Sequence, residues 1–80
     1  MIIEKMQYKK LGQFIKNKRL MVGASLNRFA IENEIEPAIL SRIENLKQDI
    51  KIGILVKIAN GFKVTPAQLL QEFENKNKIH

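Results

Sequence analysis

Apolar residues recur along this chain at intervals of three and four, and polar or turn-forming residues cut the pattern into five short segments. Over residues 8–22, Leu11, Phe14, Ile15 and Val22 fall on one side of a helix, with Lys16, Lys18 and Arg19 interspersed. Gly23 stands where a helix C-terminus favours glycine, and Ser25 can cap a second helix over about 26–33 that turns Leu26, Phe29 and Ala30 inward. After a break at Glu34-Ile35-Glu36, Pro37 suits the first turn of a third helix, where a missing N–H costs nothing. That helix covers about 37–45 and buries Leu40 and Ile43, with Ile39 left over. Asp49 is placed to cap a fourth helix over about 51–60, with Ile54, Leu55, Ile58 and Ala59 inward and Asn60-Gly61 as its end. Thr65-Pro66-Ala67-Gln68 has the layout of a capping box and opens a fifth helix over about 66–74, carrying Leu69, Leu70 and Phe73.

The expected architecture is all-α: five short helices in one domain over residues 8–74, with flexible termini at 1–7 and 75–80. The runs Ile50–Ile54 and Phe62–Val64 could be read as strands by propensity alone. A chain of 80 residues holds a core of only marginal size, and with no cysteine neither a disulfide nor a thiolate metal site can brace it. No apolar run approaches the roughly 20 residues needed to span a bilayer. The opening Met-Ile-Ile-Glu-Lys-Met lacks the layout of a signal peptide. A cytoplasmic protein with no membrane partner is therefore expected.

Charge sharpens the picture. The net charge is +6, and residues 1–28 account for all of it, with seven Lys and Arg against Glu4 alone. A localised basic excess suits a polyanionic partner, although a lysine-rich surface also arises simply to keep a protein in solution. Catalytic chemistry finds little to work with. The single histidine is the last residue, His80, and the hydroxyls of Ser25, Ser41 and Thr65 fall at cap or helix positions. No nucleophile–base pair can be assembled from these residues. Glu32, Glu34 and Glu36 are spaced by two, which does not bring them to one helical face, so they read as a solvated turn. The expectation is a protein that is not an enzyme and needs no cofactor and no metal.

The informative unit is the pair of helices around Ile35. Two short helices that cross steeply need a small residue where they meet and an apolar plug in the turn, and Ala30 and Ile35 supply these. Four segments carry a wider resemblance: Leu11-Gly12-Gln13-Phe14-Ile15-Lys16-Asn17-Lys18-Arg19, Ser25-Leu26-Asn27-Arg28-Phe29-Ala30, Leu40-Ser41-Arg42-Ile43-Glu44-Asn45 and Val64-Thr65-Pro66-Ala67-Gln68-Leu69-Leu70. In this order and spacing the chain resembles the Cro/C1-type, xenobiotic-response-element-like helix-turn-helix regulators over about residues 10–72. The resemblance implies a compact lambda-repressor-like five-helix domain with its helix-turn-helix at about 26–45. It departs from the family pattern at three positions. Glu34 and Leu46 stand where glycine is usual, and Leu26 stands where glutamine is usual.

The resemblance implies sequence-specific binding of double-stranded DNA, with the third helix in the major groove, by a transcriptional regulator acting as a repressor. Pro37, Ala38 and Arg42 match base-contacting positions, and Ile39 can add apolar contact. Arg42 is the expected reader, because its planar fork can bond guanine O6 and N7 together. Glu36 either accepts from cytosine N4 or stabilises the positive end of the third helix. Ser25, Asn27, Arg28, Ser41, Lys47, Gln48 and Lys51 are candidates for phosphate contact. Arg19 and Glu44 match an ion pair that ties the first helix to the end of the third. A homodimer is expected, with Phe62, Leu69, Leu70 and Phe73 as its apolar interface. The alternative is an antitoxin-like module that binds a toxin or another protein, with or without DNA. Pro37, Ala38 and Ile39, and the acidic stretch Glu32–Glu36, favour that alternative.

Overall fold

The computed structural model describes residues 5–45 and 48–77, with side chains described over 10–45 and 48–76. Five helices follow one another: α1 (Lys5–Met21), α2 (Leu26–Glu32), α3 (Pro37–Glu44), α4 (Ile52–Gly61) and α5 (Pro66–Asn77), and no described residue lies in a strand. No described helix is long and apolar enough to cross a membrane. The apolar stripes foreseen from the spacing converge on one core. Ile15, Ala30, Leu40, Ile58 and Leu69, one from each helix, are all fully buried.

Local chemistry sets most of the boundaries. Ser25 caps α2, its Oγ accepting from Arg28 N at 3.2 Å. Thr65 and Gln68 form the reciprocal capping box: Gln68 N donates to Thr65 Oγ1 at 3.0 Å, and Thr65 N donates to Gln68 Oε1 at 2.8 Å. Three helices end on the same backbone motif, in which a left-handed residue lets two amides reach back to the last turn. After α1 that residue is Gly23, with Gly23 N bonded to Leu20 O and Ala24 N to Arg19 O. After α2 it is Glu34 (φ 58°), and after α4 it is Lys63 (φ 59°).

Three local expectations change. Val22 is 63% exposed instead of inward, because α1 stops at Met21 and its last inward position belongs to Arg19. Asp49 does not cap α4. The cap position is Lys51, two residues beyond Asp49, and it makes no side-chain capping bond. Gly61 is the last residue of α4, at the end expected for that helix. It is needed for a close approach: a Cβ there would lie 2.6 Å from Phe29 Cζ and 2.7 Å from Asn33 Nδ2. Finally, both ends are helical further than expected: α1 begins at Lys5, inside the expected flexible 1–7, and α5 runs on through Asn75–Asn77, where neither glycine nor proline interrupts it. The remaining terminal residues, 1–4 and 78–80, and Leu46 at its usual-glycine position, lie outside the described residues.

One polar contact ties the two halves of the motif to the rest. Arg19 and Glu44, 5% and 3% exposed, meet in a two-pronged pair: Nε donates to Oε2 and Nη2 to Oε1, both at 2.8 Å. Arg19 Nη1 also donates to Ala24 O at 2.7 Å. The hydrogen bonds from Arg19 to Glu44 hold the guanidinium pKa above its ordinary value, against the opposing effect of burial. No buried side-chain polar atom is left unsatisfied among the described residues.

Glu44→Ala should lower stability in urea denaturation by about 3–5 kcal/mol, because it strands a buried guanidinium. The paired change Arg19→Met with Glu44→Leu should recover most of that loss, and a melt unchanged by Glu44→Ala would remove the pair from the scaffold. Glu34→Gly should raise stability by up to about 1 kcal/mol by relieving the left-handed penalty. Gly61→Ala should lower it, since the new methyl collides with Phe29 and Asn33.

Candidate nucleic-acid interface

The α2–turn–α3 unit is built around a packed joint. Ala30 at the crossing is fully buried, and Ile35 in the turn is 3% exposed. The turn is well formed despite lacking glycine. Ile35 N donates to Ala30 O at 2.8 Å and Glu34 N to Ile31 O at 3.2 Å, closing the end of α2 around the left-handed Glu34. Lys57, reaching across from α4, donates through Nζ to Glu34 O at 2.9 Å. Asn33 Nδ2 closes the α2 end by donating to Phe29 O at 2.8 Å.

This joint fixes which face of α3 looks outward. Leu40, Ile43 and Glu44 are buried, whereas Ala38 and Arg42, one turn apart, are exposed, and Pro37 and Ile39 are half-buried. Pro37 occupies the first helical position. Glu36 is the cap residue, in extended conformation, and its carboxylate makes no capping bond. It is free to act on the helix end only through its charge. Of the three arginines, Arg19 is bound to Glu44 and Arg28 Nε donates to Glu32 Oε2 at 3.1 Å. Arg42 has no carboxylate partner among the described residues.

The candidate phosphate-contacting residues are scattered more widely. Ser25, Asn27 and Arg28 sit together at the exposed start of α2. The Arg28–Glu32 pair is an exposed i, i+4 contact, worth about 0.3–0.5 kcal/mol, so it opposes an exchange of partner only weakly. Ser41 is half-buried, and its Oγ and carbonyl both accept from Asn45 Nδ2, at 3.2 and 2.8 Å. Lys51 is exposed at the cap of α4 and Gln48 is half-buried before it. Lys47 lies outside the described residues.

The residues foreseen as a dimer interface are in large part core. Leu69 and Phe73 are 0% and 1% exposed, and Phe73 packs its ring 5.6 Å from that of Phe14. Phe62 is half-buried, stacked 4.8 Å from Phe29, and Leu70 is half-buried against the core. Only these last two keep any surface. A core this small has no apolar residues to spare from α5, so the helix spends its stripe inside the monomer. Lys57 and Asn33, which brace the turn, were not foreseen. The spacing of 23 residues between Lys57 and Glu34 leaves no local trace in the sequence.

No protein-family model matches the chain, and no curated protein matches its sequence. Solved structures do match. The regulator ClgR of the clp gene in Corynebacterium glutamicum superimposes with a TM-score of 0.74 at 20% identity, over 86% of this chain and 73% of that one. A mutant of the restriction-modification controller protein C.Esp1396I gives 0.79 at 22% identity, over 91% and 92%. An HTH_3 family transcriptional regulator from Vibrio cholerae gives 0.75 at 26% identity, over 85% of this chain but 38% of its own length. With five helices in this order, an αL turn plugged by Ile35 and the Arg19–Glu44 tie, the chain has the fold of the Cro/C1-type helix-turn-helix regulators.

Proposed function

We propose that this chain binds double-stranded DNA by laying α3 in the major groove and thereby regulates transcription, acting in the cytoplasm as a repressor. The observation that carries this reading is the state of Arg42. It stands exposed and unpaired on a helix whose opposite face is locked into the core. An arginine so placed can present both prongs to guanine O6 and N7 without first breaking an ion pair. Ala38 and the open edge of Ile39, beside it, suit a thymine methyl. Pro37 starts the helix and contacts bases only through its ring edge. The proteins of the same fold are described as gene regulators and a controller protein, which supports the assignment of class.

Backbone contacts come from Ser25, Asn27 and Arg28 at the start of α2, and from Ser41, Gln48, Lys51 and Lys47 along the path out of α3. A single domain with one strong base reader discriminates poorly, and two copies on half-sites about one helical turn apart overcome this. The apolar surface for such pairing is on α4, where Ile52 and Val56, one turn apart, are 78% and 39% exposed, with Phe62 and Leu70 contributing their uncovered edges.

Selection from a random duplex library should yield a consensus containing a guanine that Arg42 reads. Arg42→Ala should weaken binding to that site by about 1–3 kcal/mol and flatten the preference at that base pair, while leaving the melting temperature unchanged. Equal binding of wild type and variant to every duplex would refute the reading. Because Arg28, Lys47 and Lys51 are the cationic phosphate contacts, affinity should fall with salt with a log–log slope of roughly −3 per chain. A slope near zero in a gel-shift titration would rule out phosphate contact.

A further inference from the structure

On another part of the molecule α1 and α5 enclose a groove of about 670 Å³ that shares no residue with the α2–α3 unit. Along α1, Lys10, Phe14, Lys18 and Met21 recur at helical spacing and form one stripe. On α5, Glu72 and Lys76, one turn apart, form the opposing edge. The lining is mixed, with Gln13, Asn17 and Asn75 among apolar Phe14, Met21 and Val22. Phe14 lies in it, braced from below by Phe73, and Met21 and Val22 stand 78% and 63% exposed at one end. Met21 and Val22, exposed side by side on so small a protein, offer apolar surface for a contact.

The rim is basic. Its one carboxylate, Glu72, is already held by Lys18 at 2.7 Å, and Lys18 also lies over the Phe62 ring. Lys10 and Lys76, at the edges of the groove, have no acidic partner among the described residues. The geometry points to this groove as the docking site for an acidic amphipathic helix of a partner protein. The combination of floor and rim selects that class. A nucleic-acid backbone gains nothing from Phe14, Met21 and Val22, and a neutral apolar peptide leaves Lys10 and Lys76 without counter-charge. A second copy of this chain, at net +6, brings like charge to a basic rim. From Lys10 to Met21 the stripe is about 17 Å long, which fits about three turns of helix with apolar residues at i, i+3 or i+4 and i+7 and acids on both flanks. This inference is independent of the DNA reading, since Arg42 takes no part in it.

The test starts from the intact chain, biotinylated and used to select binders from a phage-displayed library of random peptides about 16 residues long. Selected peptides are expected to carry helically spaced apolar residues flanked by Asp and Glu. In fluorescence anisotropy their affinity should fall at least about tenfold with Met21→Glu, and also fall with Lys76→Glu, while Arg42→Ala leaves it unchanged. Met21 is so exposed that Met21→Glu should melt like wild type and bind the selected DNA site like wild type. The proposal is overturned if selection enriches nothing, if the enriched peptides are neutral or basic, or if they bind the Met21→Glu variant as tightly as wild type. It is equally overturned if sedimentation shows that Met21→Glu splits a dimer of the wild-type chain, because the groove would then belong to a second copy.

Discussion

The Arg19–Glu44 pair is the contact on which the presentation of α3 depends. It joins the last turn of α1 to the last residue of α3 through two parallel hydrogen bonds, and its third bond, to Ala24 O, fixes the link into α2. Burying two charges costs several kcal/mol each, and attraction offsets that only when geometry is good and the remaining donors are satisfied. Here the fork of the guanidinium matches the carboxylate and the remaining prong finds a carbonyl, so the pair holds α3 in one orientation. A pair of apolar residues could fill the same space, but it would not fix the axial position of α3 with the same directionality. Directionality is what the proposed base contact by α3 would need.

The turn before α3 shows a different compromise. A left-handed residue costs an ordinary side chain about 1–2 kcal/mol, yet Glu34 takes that conformation. The surrounding bonds force it: Ile35 N and Glu34 N close the end of α2, Lys57 holds the Glu34 carbonyl, and Ile35 is pinned in the core. The steric cost is spread over a joint that packing and hydrogen bonding over-determine. Gly61 serves the same joint from the other side, letting the end of α4 approach Phe29 and Asn33 as no other residue could.

Core economy explains how the surfaces are divided. With so few residues, α5 must give Leu69 and Phe73 wholly to the interior. The large apolar residues left exposed lie apart from that core: Leu20, Met21 and Val22 at the end of α1, Ile31 on α2, and Ile52 and Val56 on α4. The face with Arg42 and the groove with Met21 lie on separate elements, so the two proposed contacts would use different side chains.

The amino-acid order by itself determined the five helices, because each has its signal within a few residues. Ser25 and the Thr65–Gln68 box cap, Pro37 and Pro66 start, Gly23 stops, and the apolar spacing names the inward faces. The outward position of Ala38 and Arg42 follows from the same spacing, once Leu40 and Ile43 are inward. Asp49 misled because a cap depends on reach as well as residue type, and the helix begins beyond it. Only the tertiary structure decided that Glu34 is held left-handed, that Lys57 braces it, that Gly61 admits a close approach to Phe29 and Asn33, and that Leu69 and Phe73 belong inside. Each of these depends on groups distant in sequence meeting in space. Local propensity carries no record of such meetings, which are set by the sum of packing around the core.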